Sequence, residues 1–275
     1  MIRHRPAPPL DRYVDCFWWS QRDSPRDCPE HVLPSGAAQL VFLLHDAPIA
    51  VWPGSGSGRP GEWSGALVHG PQQGYYVCGP KPAGAALGVS FRPAAAAAVL
   101  GVAMTELVDQ HAPLDSLWGR RGASLREQLL DAGAPVRMFR ILERELTARI
   151  QRPLLMHPAV ANALAALPVA AGVLRVGDLQ RQSGCSPRHF IALFRSAVGM
   201  APKHYFRIQR FNAVLQGVAG GAGMALADVA AAAGYADQAH LAREFREFAG
   251  ITPTQYQPAG GDRPRHHLAT SWPPR

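Results

Sequence analysis

Asp178–Tyr205 (DLQRQSGCSPRHFIALFRSAVGMAPKHY) and Asp228–Tyr256 (DVAAAAGYADQAHLAREFREFAGITPTQY) are two versions of one pattern. Gly184 meets Gly234 at an offset of 50 residues. After one inserted residue the offset becomes 51, and His189/His240, Phe194/Phe245, Arg195/Arg246, Gly199/Gly250, Pro202/Pro253 and Tyr205/Tyr256 pair. Such self-similarity marks a repeated supersecondary unit. Each copy reads as helix, tight turn, helix. In the first, a helix over Val176–Ser183 stops at Gly184, which can take the left-handed conformation that ends helices. Ser186 then caps a second helix, with Pro187 at its first position. That helix buries Phe190, Leu193 and Phe194 at i, i+3 and i+4. In the second copy Leu226–Ala233 stops at Gly234, and Asp237 caps a helix burying Leu241, Phe245 and Phe248. Two helices joined by a short glycine-containing turn match the helix-turn-helix, whose second helix lies in a DNA major groove.

Between the copies, Pro202–Ala219 (PKHYFRIQRFNAVLQGVA) reads as one helix ending at a glycine cluster. Its length of about 27 Å suits a rigid spacer between reading helices near the ~34 Å that separates successive major-groove faces. Upstream, Arg152-Pro153 and His157-Pro158 interrupt helix, so 153–157 reads as a linker between a domain at 1–152 and one at 158–257. Residues 1–92 hold short β-favouring runs, Leu40–Leu44, Ile49–Trp52, Leu67–His69, Tyr75–Cys78 and Ala86–Phe91, between turns rich in Gly and Pro. That pattern predicts a sheet, sandwich or small barrel. Pro53–Gly61 (PGSGSGRPG) reads as a flexible loop. Pro93 opens a helix through Ala94–Val102, and a second helix spans Pro135–Ile150. Its stripe of Val136, Phe139, Leu142 and Leu146 fits packing on its own sheet or on a second copy of the chain. The tail, 258–275, has the composition of an unfolded, disordered end.

The 275 residues are 47% hydrophobic and 17% charged, enough apolar material for two cores. A net charge of +8 suits a polyanionic partner. Of the basic and acidic side chains, 16 and 14 lie in 1–156, against 12 and 6 in 157–275. Within 176–256 the counts are 8 and 5, so bulk charge is a weak argument for DNA. The placement of a few arginines on two repeated helices is the stronger one. No apolar run approaches the ~20 residues that span a bilayer, and the N-terminus lacks the apolar core of a secretory signal. Cys16, Cys28, Cys78 and Cys185 are too scattered for a disulfide framework. These features predict a cytoplasmic chain.

At the repeat the sequence resembles the AraC/XylS family of bacterial transcription regulators. The resemblance rests on SGCSPRHFIALFRSAVGMAPKHYFRIQR in the first copy and ADVAAAAGYADQAHLAREFREFAGITPTQY in the second. It covers 176–256, and reaches 158 if Pro158–Leu167 is the leading helix. Two shorter segments, His31-Val32-Leu33-Pro34-Ser35-Gly36 and Val89-Ser90-Phe91-Arg92-Pro93, resemble the small cupin-like β-domains found upstream in this family. The fold this implies is α+β with two domains. A β-rich, cupin-like sensor or dimerisation domain carrying C-terminal helices precedes an all-α domain with two helix-turn-helix motifs and a linker helix. The implied function is sequence-specific binding of double-stranded operator or promoter DNA, with no catalytic residues, metal or cofactor. RNA polymerase, a small-molecule effector and a second copy are further candidate partners, and a membrane is not. The alternative makes the N-terminal domain an enzyme or repair module fused to a DNA-binding domain.

Residues early in each second helix that face away from its buried stripe are the expected base readers. They are Arg188, Ile191 and Ala192 in the first copy, and Gln238, His240 and Arg243 in the second. The family usually has polar side chains where this chain has Ile191 and Ala192, which can touch a thymine methyl but make no bidentate hydrogen bond. Arg195, Lys203, Arg207 and Arg246 are the expected phosphate contacts, with Arg210 a further helix-surface charge. Other signals are weak. Gly56–Gly61 spells G-x-G-x-x-G, but Glu62-Trp63-Ser64 does not open the helix that a dinucleotide site needs. Cys28 and His31 have a zinc-like gap with no second pair to complete it. The aromatics Tyr13, Phe17, Trp18, Trp19, Trp52, Trp63, Tyr75 and Tyr76 fit either a sheet core or an apolar pocket for an unidentified ligand.

Overall fold

A computed structural model of the chain describes residues 1–54, 59–150, 154–166, 176–219, 225–260 and 263–269. The centre of the Pro53–Gly61 loop and the last six residues lie outside them.

The N-terminal part is two antiparallel sheets face to face. The first has the order β1 (Ile2–His4), β2 (Val14–Arg22), β9 (Gly84–Phe91), β4 (Gln39–Leu43), β7 (Ala66–His69) and β10 (His111–Pro113). The second runs β11 (His266–Leu268), β3 (Glu30–Val32), β8 (Tyr76–Cys78), β5 (Ile49–Pro53) and β6 (Gly61–Trp63). Strand alternation divides the residues of the first sheet. Leu40, Phe42, Leu87, Val89 and Phe91 face a core closed by five helices: α1 (Ala96–Leu100), α2 (Met104–Leu107), α3 (Leu114–Trp118), α4 (Arg120–Asp131) and α5 (Pro135–Arg149). Val41, Leu43 and Leu67 face the second sheet, with Ile49, Val51 and Cys78.

Two expectations for the helices shift. Ala94 has a φ of +65° and α1 begins only at Ala96, so Pro93 precedes a turn rather than the first helical residue. In α5 the buried stripe is Met138, Phe139, Leu142 and Leu146, while Val136 is 61% exposed. The buried stripe packs within the chain, on the first sheet's core.

Among the described residues six helices make the C-terminal part: α6 (Pro158–Ala166), α7 (Val176–Gln182), α8 (Pro187–Val198), α9 (Pro202–Ala219), α10 (Leu226–Ala232) and α11 (Gln238–Ala249). Phe211 of α9 sits against Phe245 and Phe248 of α11, with ring centroids 5.1 and 5.3 Å apart. Phe190, Phe194 and Tyr205 fill the other half of this core. Aromatic pairs of this kind, the first edge-on and the second tilted, add about 0.5–1.5 kcal/mol each beyond the area they bury.

The parts are docked together. Leu33, just after β3, is buried in the helical core. The Gln209 and Asn212 side-chain amides of α9 donate to the carbonyls of Ser35 (2.9 Å) and Pro34 (3.1 Å). His31 Nδ1 donates to the Ala249 carbonyl at 2.9 Å, and His204 Nε2 donates to that of Gln73 at 2.9 Å. The segment resembling a cupin-like motif, 31–36, is thus part of the surface that holds the helical domain.

The tail departs from the unfolded end expected of 258–275. His266–Leu268 pairs antiparallel with β3, Leu33 N–H donates to the Arg265 carbonyl (2.8 Å), and Ala269 N–H donates to that of Pro29 (3.0 Å). The reason is an open sheet edge and a buried charge. β3 would otherwise present unpaired backbone groups, and the fully buried Glu30 carboxylate lies against Lys81, Arg26 (2.8 Å) and, from the tail, Arg263 (3.2 Å). Composition cannot show either partner.

Candidate nucleic-acid interface

Both second helices start on side-chain caps. Ser186 Oγ accepts from the His189 N–H at 3.3 Å, and Asp237 Oδ1 accepts from the His240 N–H at 2.6 Å. Gly184 (φ +68°) and Gly234 (φ +75°) make the turns that precede them. The inward stripes, Phe190, Phe194 and Val198 on α8 and Leu241, Phe245 and Phe248 on α11, fix which way each helix faces.

The opposite faces hold most of the expected readers. Arg188, Ile191, Ala192 and Arg195 are all exposed on α8, and Ile191 leaves 45% of its surface in water, an apolar side chain with no intramolecular reason to be there. On α11, Gln238, Arg243 and Arg246 are exposed. His240 is half-buried, edge-on to the Tyr235 ring at 5.2 Å, which ties it to the turn. Lys203 is exposed in the first turn of α9. None of these side chains lies under the N-terminal part, because docking uses the far ends of the helices. Gly199, after α8, abuts Met104 and Val108, and Gly250, after α11, abuts the Tyr75 ring.

Arg207 and Arg210 are placed differently from the surface role expected of them. Arg207 Nε donates to Glu244 Oε2 at 2.8 Å, and its two terminal nitrogens grip both oxygens of Glu247. Arg210 Nη2 donates to Glu244 Oε2 at 2.8 Å and lies over the Tyr235 ring, 4.3 Å from its centroid. Tyr235 OH completes the set, donating to Glu244 Oε1 at 2.6 Å. Burial raises the Glu244 carboxyl, but the Tyr235 hydroxyl and both guanidinium groups outweigh it and hold the group ionised below its ordinary range. The network locks the spacer helix α9 to the second reading helix. A buried glutamate within the apolar stripe of α11 was the one signal in the sequence that could have shown it.

The space between the sheets forms a second chemical feature. Register aligns Cys16, Ser90, Gln39, His69 and His111 in one row across five strands of the first sheet. His69 Nδ1 lies 2.7 Å from His111 Nδ1, so one ring donates the proton the other accepts. Tyr76, from the second sheet, stacks on His69 at 5.6 Å and meets His111 at 4.7 Å. Burial keeps both imidazoles neutral, driving His69 well below its ordinary range and His111 down to about 4. Trp63, edge-on to His111 at 6.1 Å, has a buried Nε1 donor with no partner among the described residues. The expected aromatic set therefore divides. Trp18, Trp63 and Tyr76 lie between the sheets, Tyr13 and Phe17 in the helix-covered core, and Tyr75 against His31 at 4.8 Å on the docking face.

Residues 179–259 match a family model described as a helix-turn-helix domain, and residues 2–113 match a domain of unknown function, DUF6597. Over 90 residues the chain is 33% identical to the HTH-type transcriptional regulator Rv1931c of Mycobacterium tuberculosis. That match takes in 33% of this chain and 34% of the relative, so the chain spans about a third of the curated relative's length. Two crystal structures of ToxT from Vibrio cholerae, an apo variant of strain SCE256 and the O395 protein bound to (E)-4-(8-methylnaphthalen-1-yl)but-3-enoic acid, overlay with TM-scores of 0.48. Their identities are 8% and 10%, over 86% of this chain and 95% and 97% of theirs. With two helix pairs around one spacer, each second helix side-chain capped, residues 179–259 have the architecture of the helix-turn-helix domain whose model they match.

Proposed function

We propose that this chain is a sequence-specific DNA-binding transcription regulator that lays α8 and α11 in adjacent major grooves. One observation carries the reading. Two second helices of the same repeat, each capped and backed by an apolar stripe, turn an arginine-bearing face to solvent. Arg188 and Arg243 are the base readers, each able to grip a guanine bidentately. Ile191 and Ala192 offer only apolar contact to thymine methyls, while Gln238 and the half-held His240 add polar contacts from the second copy. Arg195, Lys203 and Arg246 meet phosphate. The row from Cys16 to His111, with Tyr76 and Trp63 opposite, supports a small-molecule effector site between the sheets, where neutral imidazoles and an unpaired indole N–H suit a polar, uncharged group.

Selection of bound sites from random DNA tests the reading. It should return two boxes about one helical turn apart, and Arg188→Ala and Arg243→Ala should each relax a different box at a cost of roughly 1–3 kcal/mol. Affinity should fall steeply with salt as counterions are released. A pool with no preferred sequence, or an affinity indifferent to salt, would defeat the proposal.

A further inference from the structure

The turn of the first helix-turn-helix carries a cluster that neither base reading nor docking uses. His157 at the start of α6, Cys185 in the turn between α7 and α8, and His189 in the first turn of α8 each bring one ligand atom within 4.8 Å of the other two. The His157 and His189 rings meet edge-on at 6.2 Å. Two imidazoles and a thiolate are the nitrogen and sulfur set that borderline divalent metals select, and zinc bound by three protein ligands keeps a fourth position open. The cluster contains no carboxylate, which disfavours magnesium and calcium.

Two of the three ligands sit on fixed backbone. The Gln180 side-chain amide donates to the Cys185 carbonyl, Cys185 N–H donates to Ser183 Oγ at 3.2 Å, and the Ser186 cap holds His189. The second copy offers an internal control. It keeps the paired histidine, His240, but Tyr235 stands one residue after its turn glycine, where Cys185 follows Gly184. The thiol is therefore not something the repeat's fold demands.

We propose that His157, Cys185 and His189 form a binding site for a divalent transition metal of the zinc class, joining the leading helix to the first reading helix. Ligation has a built-in cost. His157 Nδ1 accepts from the Ala159 N–H at 3.2 Å. A neutral imidazole bound to metal through one nitrogen carries its proton on the other, so coordination through either one releases this cap. The site stands independently of whether the helices read DNA.

The test uses the full chain, stripped with chelator and titrated with Co2+, then with Zn2+. One equivalent of Co2+ should bind with tetrahedral ligand-field bands and a thiolate charge-transfer band, both removed by Zn2+. Cys185→Ser should abolish the charge-transfer band and weaken Zn2+ binding roughly tenfold or more, as should His189→Gln for affinity. Cys28→Ser should leave both unchanged, and far-UV circular dichroism checks that each variant is folded. The proposal is overturned if the charge-transfer band survives Cys185→Ser, if the parent binds Co2+ without that band, or if folded Cys185→Ser and His189→Gln keep the parent's affinity.

Discussion

A carboxylate withdrawn from water costs several kcal/mol unless cations and donors replace the solvent. Glu244, 3% exposed, has Arg207, Arg210 and Tyr235 arranged around it. Breaking such a set by removing one charge is expensive, because the remaining partners keep their burial and lose their compensation. Glu244→Gln should destabilise the helical domain by about 3 kcal/mol, the low end for a buried pair because both arginines keep some contact with water. Replacing Glu244 and Arg210 together by Met should recover much of that loss. Chemical denaturation of the three proteins checks both, and a Glu244→Gln midpoint equal to the parent's would remove the network from any structural role. The same geometry separates Arg207 from Arg195, Lys203 and Arg246, whose side chains are exposed. Its sequence context, an arginine on a long helix beside Lys203, gave no sign that Glu244 and Glu247 of a distant helix would claim it.

At the level of elements, the sequence is most informative where local chemistry is self-sufficient. Turn glycines, the Ser186 and Asp237 caps, Pro187 and the 3.6-residue stripes mark α8, α9 and α11 closely, since each signal acts within one or two turns of its helix. The five expected strands appear within two residues of their predicted bounds. Missing from the sequence reading were β2, whose run Cys16-Phe17-Trp18-Trp19 does not alternate cleanly, and the three-residue strands β1, β3, β6, β10 and β11, which are too short to show a pattern of their own. β11 is the extreme case. Nothing in Arg265-His266-His267-Leu268 favours a strand, yet the β3 edge and the Glu30 charge supply partners. A chain ending after Gln257 should lose this edge, the Arg263 ion pair and the His266 contact, leaving Glu30 with Lys81 and Arg26 alone. Stability should fall by about 3 kcal/mol, and the uncovered β3 edge should favour self-association. Denaturation and size-exclusion chromatography measure the two effects. A truncated chain that is as stable and as monodisperse as the parent would mean that the strand is an accessory.

For the whole molecule, the docking face and the sheet interior share one electrostatic design: buried histidines held neutral and buried carboxylates held charged. Burial lowers His31 despite its bond to Ala249, drives His69 and His111 down, and brings His266 to about 4. Burial raises Glu30, but His266, Lys81 and Arg263 outweigh it and hold its carboxyl well below the usual range. A histidine with a depressed pKa in the folded state stabilises fully above about 6.5, where the unfolded chain is also neutral, and loses that contribution as the unfolded state gains its proton. The carboxylates stabilise above about 4.5 and fail below it. Both terms therefore have the same sign. Unfolding free energy should hold steady above about pH 7 and drop by a few kcal/mol between about 6.5 and 4. The location of the loss is also testable, because the tryptophans among the described residues, Trp18, Trp19, Trp52, Trp63 and Trp118, all belong to the N-terminal part. Their fluorescence reports the N-terminal part, whereas far-UV circular dichroism is dominated by helix, most of it in the C-terminal part. At pH 7 the two transitions should coincide, since Leu33 is buried in the helical core and Gly36 (φ +76°) has no room for a Cβ against Tyr205. Near pH 5 the fluorescence midpoint should move first, because the histidines reside in the sheets and the docking face. Coincident midpoints at both pH values, or a stability unchanged down to pH 4, would show that these buried imidazoles do not govern how the two parts hold together.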